Sequence, residues 1–250
     1  MNERDIARGF SAVWSEFFPM LSPTFIIAFN DAFVRPILGR GGIVGPVAPR
    51  EGVRRPDVLA EFGFRLAAAA YESRISVRAA ANNEAVLDAA NLAAVNRTRE
   101  FGAPLLEEEF RLSDFERREG VRLASVYEEF LALWPATDAA IFLPAIHGSG
   151  VLSSCFADLA VGRTLFEVKT VVRPFHSRDL RQLLVYLALQ AMTDEKRWEY
   201  GGLLNPKLGV FCSFSVDWLV MRLSGGRPPK LVFSDFVQAL SRDFVLDHRF

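Results

Sequence analysis

The sequence predicts an α+β fold in which an N-terminal helical extension precedes strands and helices packed in layers. Two observations favour this class. Residues 56–99 contain alanine-rich stretches without internal proline, which are typical of helices. After Pro135 the pattern changes to alternating and continuous apolar runs, interrupted by one helix that Ser177 is expected to cap. The predicted order from residue 113 is helix–strand–strand–strand–helix–strand.

Composition is that of a globular protein and excludes several functional classes. The 250 residues are 50% hydrophobic and 24% charged, with a formal net charge of −1. Such a chain is too apolar for disorder and too balanced in charge for a uniformly basic nucleic-acid coat. A nucleic-acid role must therefore depend on a local site.

Neither secretion nor a membrane span is expected. The two cysteines, Cys155 and Cys212, cannot build a disulfide framework of the secreted kind. The first ten residues mix both charges without a continuous apolar run. The most apolar early stretch, residues 24–34, is shorter than the roughly 20 residues that a membrane span needs. We therefore expect a cytoplasmic protein with no membrane partner.

The first 112 residues are predicted to form a loop-rich and helical region, followed by a second domain over residues 113–250. Gly39, Gly41 and Gly45 approach a dinucleotide-binding loop, but Val44 stands where the third glycine belongs, so a plain loop is the better interpretation. Two alanine-rich helices are predicted over residues 56–73 and 82–98. Nothing in them indicates chemistry, and packing or contact with a partner protein is their expected role.

A third helix has clear boundaries. Ser113 followed by Glu116 forms a capping box, and Pro135 ends the helix. Glu119 falls near the apolar face, whereas Glu128 points away from it. The apolar positions recur at helical spacing and predict a buried stripe: Leu123, Tyr127, Phe130 and Trp134.

The strands are predicted from short apolar runs between turn signals. The first three cover residues 139–146, 155–161 and 164–171, and Gly162 and Arg163 separate the last two. After the helix capped by Ser177, two more strands flank the turn at 206–208. A final short helix is expected to begin near Ser234.

The Gly162–Arg163 turn sets a hairpin register that brings two acids together. A two-residue turn with glycine first is typical of type II′, and it pairs residue 161 with residue 164. Asp158 is then opposite Glu167, and Lys169 lies on the same face as Glu167. The other face is continuously apolar and belongs to the core: Ala157, Leu159, Val161, Phe166 and Val168.

Two opposed carboxylates on a covered sheet require a positive charge between them. Lys169 supplies one charge, and a divalent cation is predicted to supply the rest. Hard oxygen ligands suit Mg²⁺ (or Mn²⁺), which lowers the pKa of bound water and stabilises charge on phosphorus. A neighbouring lysine can orient or deprotonate that water. The cluster therefore predicts metal-assisted phosphodiester hydrolysis, with Asp158 and Glu167 as metal ligands.

The segment DLAVGRTLFEVK, with Asp158, Glu167 and Lys169, resembles the D…ExK signature of the PD-(D/E)xK nuclease superfamily. Gln182 and Tyr186, four residues apart on one helical face, resemble the QxxxY motif of its RecB-like branch. The resemblance covers about residues 113–216 and implies a restriction-endonuclease-like αβββαβ core. It also implies that Gln182 and Tyr186 help to place the substrate and the metal-bound water.

Two positions depart from the family pattern. The usual proline before the first acid is replaced by Ala157. The RecB-like branch also uses an upstream histidine as a metal ligand, and His147 is the only candidate before Asp158. Because His147 lies so close to the hairpin, we interpret it as a loop residue rather than a ligand.

The resemblance implies a Mg²⁺-dependent nuclease that acts on nucleic acid, with DNA the expected form, in restriction, repair or phage defence. An upstream helix often adds a third acid, for which Glu119 is the first candidate and Glu128 the second. The alternative is a non-catalytic scaffold or nucleic-acid-binding subunit of a larger complex. The N-terminal helical region would recognise DNA or a partner protein.

Basic residues near the predicted hairpin and the helix that follows it are expected to place positive charge around the mouth of the site. Contacts from such residues to phosphate would be independent of base sequence. A solvated helix N-terminus is an equally good interpretation. The residues in question are Arg163, Arg173, His176, Arg178 and Arg181.

Overall fold

The structure is a computed structural model that describes residues 2–39, 42–43, 53–100, 111–193 and 198–247. The helices in these ranges are α1 (Glu3–Arg8), α2 (Ser11–Phe17), α3 (Pro23–Phe33), α4 (Pro56–Glu72), α5 (Val77–Ala81), α6 (Glu84–Glu100), α7 (Asp114–Leu131), α8 (Ser177–Ala191), α9 (Val216–Leu223) and α10 (Pro229–Asp247). The strands are β1 (Arg35–Pro36), β2 (Leu38–Gly39), β3 (Gly42–Ile43), β4 (Ala140–Phe142), β5 (Ala145–Ile146), β6 (Cys155–Phe156), β7 (Leu159–Val161), β8 (Thr164–Val168), β9 (Tyr200–Asn205) and β10 (Val210–Ser215).

A six-stranded mixed sheet forms the centre of the fold, with strand order β1–β10–β9–β8–β7–β4. The β8 and β9 strands run parallel, and the other neighbours are antiparallel. A parallel pair needs a crossover connection, which α8 provides while packing against both strands. The α+β class is confirmed, and the chain contains α7, β4, β7, β8, α8 and β9 in the predicted order.

Helices cover both faces of the sheet, and each face has its own hydrophobic core. Leu165 and Leu203 face a core shared by α1–α3 and α8–α10. Phe166 and Leu204 face the other core, which includes α4–α7. Neighbouring residues of a strand point to opposite faces, which explains this division. Both cores combine helices or strands from before and after residue 112, so neither predicted region has a core to itself.

Two predicted strands are interrupted at the same level of the sheet. The run 139–146 breaks at Leu143 and Pro144, because proline has no N–H to donate to a ladder. Leu143 has a φ of +52°, and its N–H donates a 2.9 Å hydrogen bond to the carbonyl of Asp158. The run 155–161 breaks at Ala157 and Asp158. Ala157 consequently packs in the core of α8 rather than with Leu159, so its predicted face was wrong.

Helix boundaries follow the predicted signals closely in the middle of the chain. The alanine-rich helices correspond to α4 and α6, and the Ser113 capping box begins α7, which ends at Leu131 before Trp134. The N-cap of α8 is His176, whose N–H donates to the Asp179 carboxylate, so Ser177 is the first helical residue instead of the cap. The last helix, α10, begins at residue 229 and is not short.

Helices α1, α2, α3, α5 and α9 were not predicted. Asn2 and Ser22 accept hydrogen bonds from the first turns of α1 and α3, which are ordinary cap signals. Of the glycines in the predicted loop, Gly39 lies in β2, whereas Gly41 and Gly45 lie outside the described residues.

Helices α4 and α7 cross at very short range. A Cβ atom built at Gly63 would lie 2.8 Å from the Cβ of Leu123 and 3.1 Å from the carbonyl oxygen of Gly120. A Cβ atom at Gly120 would in turn meet the buried ring of Phe62 at 2.3 Å. Only glycine fits at both positions, and the crossing fixes how α4 faces the end of the sheet.

Within the described ranges, no helix combines the length and apolar character needed to cross a bilayer.

Candidate active site

A cavity of about 200 Å³ lies at the C-terminal end of β8, and Asp158, Glu167 and Lys169 all line it. Both helical layers contribute, because Arg4 comes from α1 whereas Glu61 comes from α4. The other lining residues are Asp57, Ala60, Phe64, Arg97, Tyr127, Leu143, Val168 and Thr170. The structure thus brings together the acid–acid–lysine set that the sequence singles out, beside residues from the predicted extension.

The turn of the β7–β8 hairpin has the predicted register. Val161 pairs with Thr164, and the ladder extends to Leu159. Gly162 has a φ of +54°, whereas Arg163 is not among the residues with positive φ. Type II′ turns require this combination, because only their first central residue has a positive φ.

Asp158 lies one residue before β7 and is outside the ladder. Its Oδ2 accepts a 2.7 Å hydrogen bond from the backbone N–H of Val168, the residue after Glu167. This bond holds the Asp158 carboxylate against the end of β8, and both carboxyl groups line one cavity. The convergence depends on a side-chain to backbone hydrogen bond rather than on direct cross-strand pairing.

Glu167 is almost completely buried, with 1% of the residue exposed. Its Oε1 accepts a hydrogen bond from the ammonium of Lys169, whereas its Oε2 is buried and has no hydrogen-bond partner among the described residues. Burial, followed by the charge of Asp158, raises the pKa of Glu167 to about 8. A buried carboxylate oxygen without a partner is costly, and a cation would satisfy it.

The donor set suits a hard divalent cation held partly by the protein. Asp158 and Glu167 offer carboxylate oxygens to the same cavity, and the unpartnered Oε2 of Glu167 is a free lone-pair donor. Among the described residues, no group of three or more histidine, cysteine, aspartate and glutamate side chains could enclose a metal. Mg²⁺ held by carboxylate oxygens commonly keeps several water ligands.

Lys169 is positioned by a chain of hydrogen bonds that runs away from the cavity. Its Nζ donates to Oε1 of Gln182 at 2.9 Å, and Nε2 of Gln182 donates to the hydroxyl of Tyr186 at 3.0 Å. Burial lowers the pKa of Lys169, but the carboxylates of Glu167 and Asp158 outweigh it, so the net shift is upward. The lysine is an ammonium at neutral pH. Gln182 and Tyr186 do not line the cavity, and they act on it through Lys169.

In the cation-free protein, we expect the free energy of unfolding to fall as the pH rises from about 5 to about 8. Unfolded glutamate ionises near its ordinary pKa of 4.5, whereas folded Glu167, whose pKa is raised to about 8, keeps its proton. The folded state therefore binds more protons than the unfolded state across this interval. Its stability relative to the unfolded state falls until Glu167 itself ionises near pH 8. Thermal melting in EDTA at a series of pH values measures the effect.

The variant Glu167→Gln should flatten this pH profile, because glutamine cannot ionise. The exposed Glu16→Gln on α2 is the matched control and should leave the profile unchanged. Mg²⁺ should raise the melting temperature of the wild type more at pH 8 than at pH 6, since protons compete with the cation for the carboxylate. Parallel profiles for the wild type and Glu167→Gln would show that the buried carboxyl does not titrate in this range.

Neither predicted third acid reaches the cavity. Glu119 is buried and pairs with Arg122 at 3.2 Å, and Glu128 accepts a hydrogen bond from the N–H of Val77 at the start of α5. Neither lines the cavity, so the expectation that Glu119 or Glu128 joins the pair was wrong. The rotation of α7 directs Tyr127, the residue before Glu128 and eight residues after Glu119, into the cavity instead.

Two acids on α4, Asp57 and Glu61, line the cavity and were missed by the sequence analysis. Oε1 of Glu61 accepts a 2.7 Å hydrogen bond from Nε of Arg65. Burial raises the pKa of Glu61, Arg65 opposes this shift, and the charge of Asp158 adds to it. A signal was present, since Asp57 and Glu61 share one face of an otherwise apolar helix at i, i+4 spacing. The helix was expected only to pack or to contact a partner protein, so these two acids were not singled out.

The predicted ring of basic residues does not surround the cavity. Arg163 lies at the hairpin turn, at the opposite end of β8, and pairs with Glu199 at 2.9 Å. Arg173 makes two hydrogen bonds to the buried carboxylate of Asp179, at 2.7 and 3.0 Å. Both charges are therefore used in structural ion pairs, and the prediction for these two residues was wrong.

The remaining predicted basic residues also lie away from the cavity. Arg178 and His176 are exposed at the start of α8, and the Arg181 guanidinium lies 5.3 Å from the ring centroid of Trp14. His147 is exposed in the loop after β5, which confirms its interpretation as a loop residue. None of these residues lines the cavity. The cations that line it among the described residues are Lys169, Arg4 and Arg97.

Searches of protein-family models and of curated proteins find no match to this sequence.

Proposed function

We propose that this protein is a metal-dependent nuclease with a restriction-endonuclease-like core, acting on nucleic acid with DNA as the expected substrate. The observation that carries the proposal is the shared cavity of Asp158, Glu167 and Lys169, in which the buried Oε2 of Glu167 has no hydrogen-bond partner among the described residues. The resemblance of the D…ExK and QxxxY segments to PD-(D/E)xK nucleases supports it independently of the geometry.

Asp158 and Glu167 are the residues that would hold the cation, Mg²⁺ or Mn²⁺. When bound, it supplies an acidified water and neutralises charge on phosphoryl oxygens. Asp158 is already oriented by Val168, so its carboxylate needs no rearrangement to serve as a ligand. Glu167 gives up its proton as the cation binds.

Lys169 would act on the reacting phosphate and water as a proton-bearing cation. Its raised pKa favours hydrogen-bond donation over proton removal. The ammonium orients the attacking water and neutralises the charge that develops on phosphorus. The attacking water loses a proton to bulk water, a bond forms between its oxygen and phosphorus, the bond from phosphorus to the leaving sugar oxygen breaks, and the leaving oxygen takes up a proton from bulk water. Gln182 and Tyr186 keep Lys169 in position.

The direct test is incubation of the protein with linear DNA, circular DNA and RNA, with Mg²⁺, with Mn²⁺ and with EDTA. We expect metal-dependent cleavage that is lost in Asp158→Asn. Cleavage of the circular substrate would identify an endonuclease. Cleavage of linear DNA with the circular substrate left intact would identify an exonuclease. If wild type and Asp158→Asn give identical traces on every substrate, the nuclease proposal fails and a non-catalytic scaffold is the better interpretation.

The variant Glu61→Gln is expected to reduce the cleavage rate about tenfold at low Mg²⁺ and less at saturating Mg²⁺. Glu61 adds negative charge beside Asp158, and its loss weakens attraction for the cation. A titration of cleavage rate against Mg²⁺ measures the shift. The matched control is Glu72→Gln, an exposed position on the same helix that does not line this cavity. Overlapping titrations for the two variants would show that Glu61 does not contribute to the site.

A further inference from the structure

A tyrosine side chain lies in the cavity among the carboxyl groups. Tyr127 of α7 lines the cavity together with Asp158 and Glu61, and the charges of both acids act on its phenol group. The ring of Phe64, which also lines the cavity, packs edge-on against the Tyr127 ring with 5.7 Å between the centroids. Only 1% of Tyr127 is exposed, so close packing holds the phenol in a fixed position inside the site.

Thr170 is the hydrogen-bonding partner of the Tyr127 hydroxyl and lines the same cavity. Their hydrogen bond lowers the pKa of Tyr127, which is the effect of a donor to the phenol oxygen, because such a donor stabilises the ionised form. Thr170 therefore donates and the phenol oxygen accepts. A tyrosine hydroxyl can donate its own proton at the same time. Among the described residues, Tyr127 forms no second hydrogen bond that would use this proton.

The proton on the Tyr127 hydroxyl suits an anionic oxygen. Burial, followed by the charges of Asp158 and Glu61, raises the pKa of Tyr127 further above its ordinary value of 10.0, so the hydroxyl is a neutral donor at neutral pH. Oδ2 of Asp158 and Oε1 of Glu61 already accept hydrogen bonds, from the N–H of Val168 and from Arg65. A phosphate oxygen is a strong acceptor for such a donor, whereas a cation would face the positive end of the O–H dipole.

A phosphodiester in this cavity needs donors that the carboxyl groups do not provide. Four of these groups line the cavity and repel a phosphate when they are ionised: Asp57, Glu61, Asp158 and Glu167. The ammonium of Lys169 already contacts Glu167. A neutral hydroxyl can orient a phosphate oxygen without adding a positive charge, which would compete with the metal ion for the carboxylates.

We propose that Tyr127 donates a hydrogen bond to a nonbridging oxygen of the bound phosphodiester, and that Thr170 is a positioning residue that orients the tyrosine hydroxyl. This inference rests on the proposed nuclease function. It gives α7, the helix on which a third acid was expected, a neutral phosphate-binding donor instead. The contact is made to the backbone and carries no base specificity.

The test measures binding without cleavage, in the Lys169→Met background, with a fluorescent oligonucleotide and Mg²⁺ at several salt concentrations. Tyr127→Phe removes only the hydroxyl oxygen, and we expect it to raise the dissociation constant about tenfold. The slope of log Kd against log salt should keep its background value, because a neutral donor releases no counterion. With Lys169 present, Tyr127→Phe should lower kcat/KM for cleavage by a similar factor.

Variants of Thr170 test its positioning role. Thr170→Val is expected to raise the dissociation constant about threefold, and Thr170→Ser, which keeps the hydroxyl, should bind as the background does. Adding Thr170→Val to Tyr127→Phe should weaken binding no further, because Thr170 acts through the phenol. Additive losses in the double variant would overturn this role.

The matched control is Tyr200→Phe, which removes an exposed hydroxyl that does not line the cavity and should leave binding unchanged. Mg²⁺ should raise the melting temperature equally in Tyr127→Phe and the background, and a smaller rise would show that Tyr127 acts on the cation site instead. Assays below the lowest melting temperature of the set exclude a folding effect.

The two proposals can fail separately. If wild type cleaves and Tyr127→Phe binds and cleaves as Tyr200→Phe does, the phosphate contact is wrong while the nuclease proposal stands. If wild type neither binds nor cleaves any oligonucleotide, both proposals are wrong.

Discussion

Replacing Lys169 with methionine is expected to lower the rate of metal-dependent cleavage by about 10²- to 10⁴-fold. Methionine keeps an unbranched side chain of similar length but removes the ammonium that contacts Glu167 and Gln182. The loss should fall on the chemical step, because the charge on phosphorus is greatest in the transition state. Single-turnover cleavage separates this step from product release.

One control variant tests the loss of a lysine charge elsewhere, and a melting measurement tests whether Lys169→Met still binds the metal. Lys230→Met removes an exposed lysine on α10 and should cleave at the wild-type rate. The rise in melting temperature with Mg²⁺ should persist in Lys169→Met, since Asp158 and Glu167 remain and a competing cation is gone. Wild-type cleavage by Lys169→Met would exclude the lysine from the reaction and remove the main support for the proposed chemistry.

Replacing Gly63 with valine is expected to destabilise the protein by about 3 kcal/mol or more. The new Cβ would lie 2.8 Å from the Cβ of Leu123 and 3.1 Å from the carbonyl oxygen of Gly120, and neither atom can move without moving α7. Separation of α4 from α7 would also displace Glu61 and Tyr127 from the cavity. Denaturant unfolding measures the first effect and cleavage the second.

Two further variants separate the effect of the contact between α4 and α7 from the effect of helix propensity. Ala89→Val adds comparable bulk on the exposed side of α6 and should cost only about 0.5 kcal/mol. Gly63→Ala is more informative, because alanine is favoured over glycine by about 1 kcal/mol within a helix. We expect Gly63→Ala to destabilise despite that preference. A stabilised Gly63→Ala would show that α4 and α7 do not approach as closely as described.

Local signals predicted the elements whose determinants lie within a few residues of each other. The Ser113–Glu116 capping box begins α7 as predicted, and the Gly162 turn sets the β7–β8 register. Helices α1, α2, α3 and α9 span only 6 to 11 residues. Helices this short are marginal in isolation. Packing of α1 against α8, of α2 against α10, and of α3 and α9 against β10 stabilises them, which the periodicity of a short segment does not reveal.

The predicted site residues lie close together in the sequence, whereas packing between distant segments brings the missed ones to the cavity. Asp158, Glu167 and Lys169 lie within one hairpin, whose turn sets the register, and the hydrogen bond from the Val168 N–H holds the Asp158 carboxylate at the end of β8. Glu61 reaches the cavity only because α4 crosses α7 at two glycines, and Arg4 only because α1 packs against α8. The prediction of Glu119 or Glu128 failed because the rotation of a helix about its axis is set by what it packs against.

The sequence by itself determined the mixed class of the fold, the hairpin register and the acid–acid–lysine set, because turn chemistry and strand alternation act over a few residues. Only the tertiary structure decided which further acids and which arginines line the cavity, and that residues before 113 contribute to both cores. Those contacts join segments about 60 to 160 residues apart, whose meeting depends on burial across a shared sheet rather than on any local pattern.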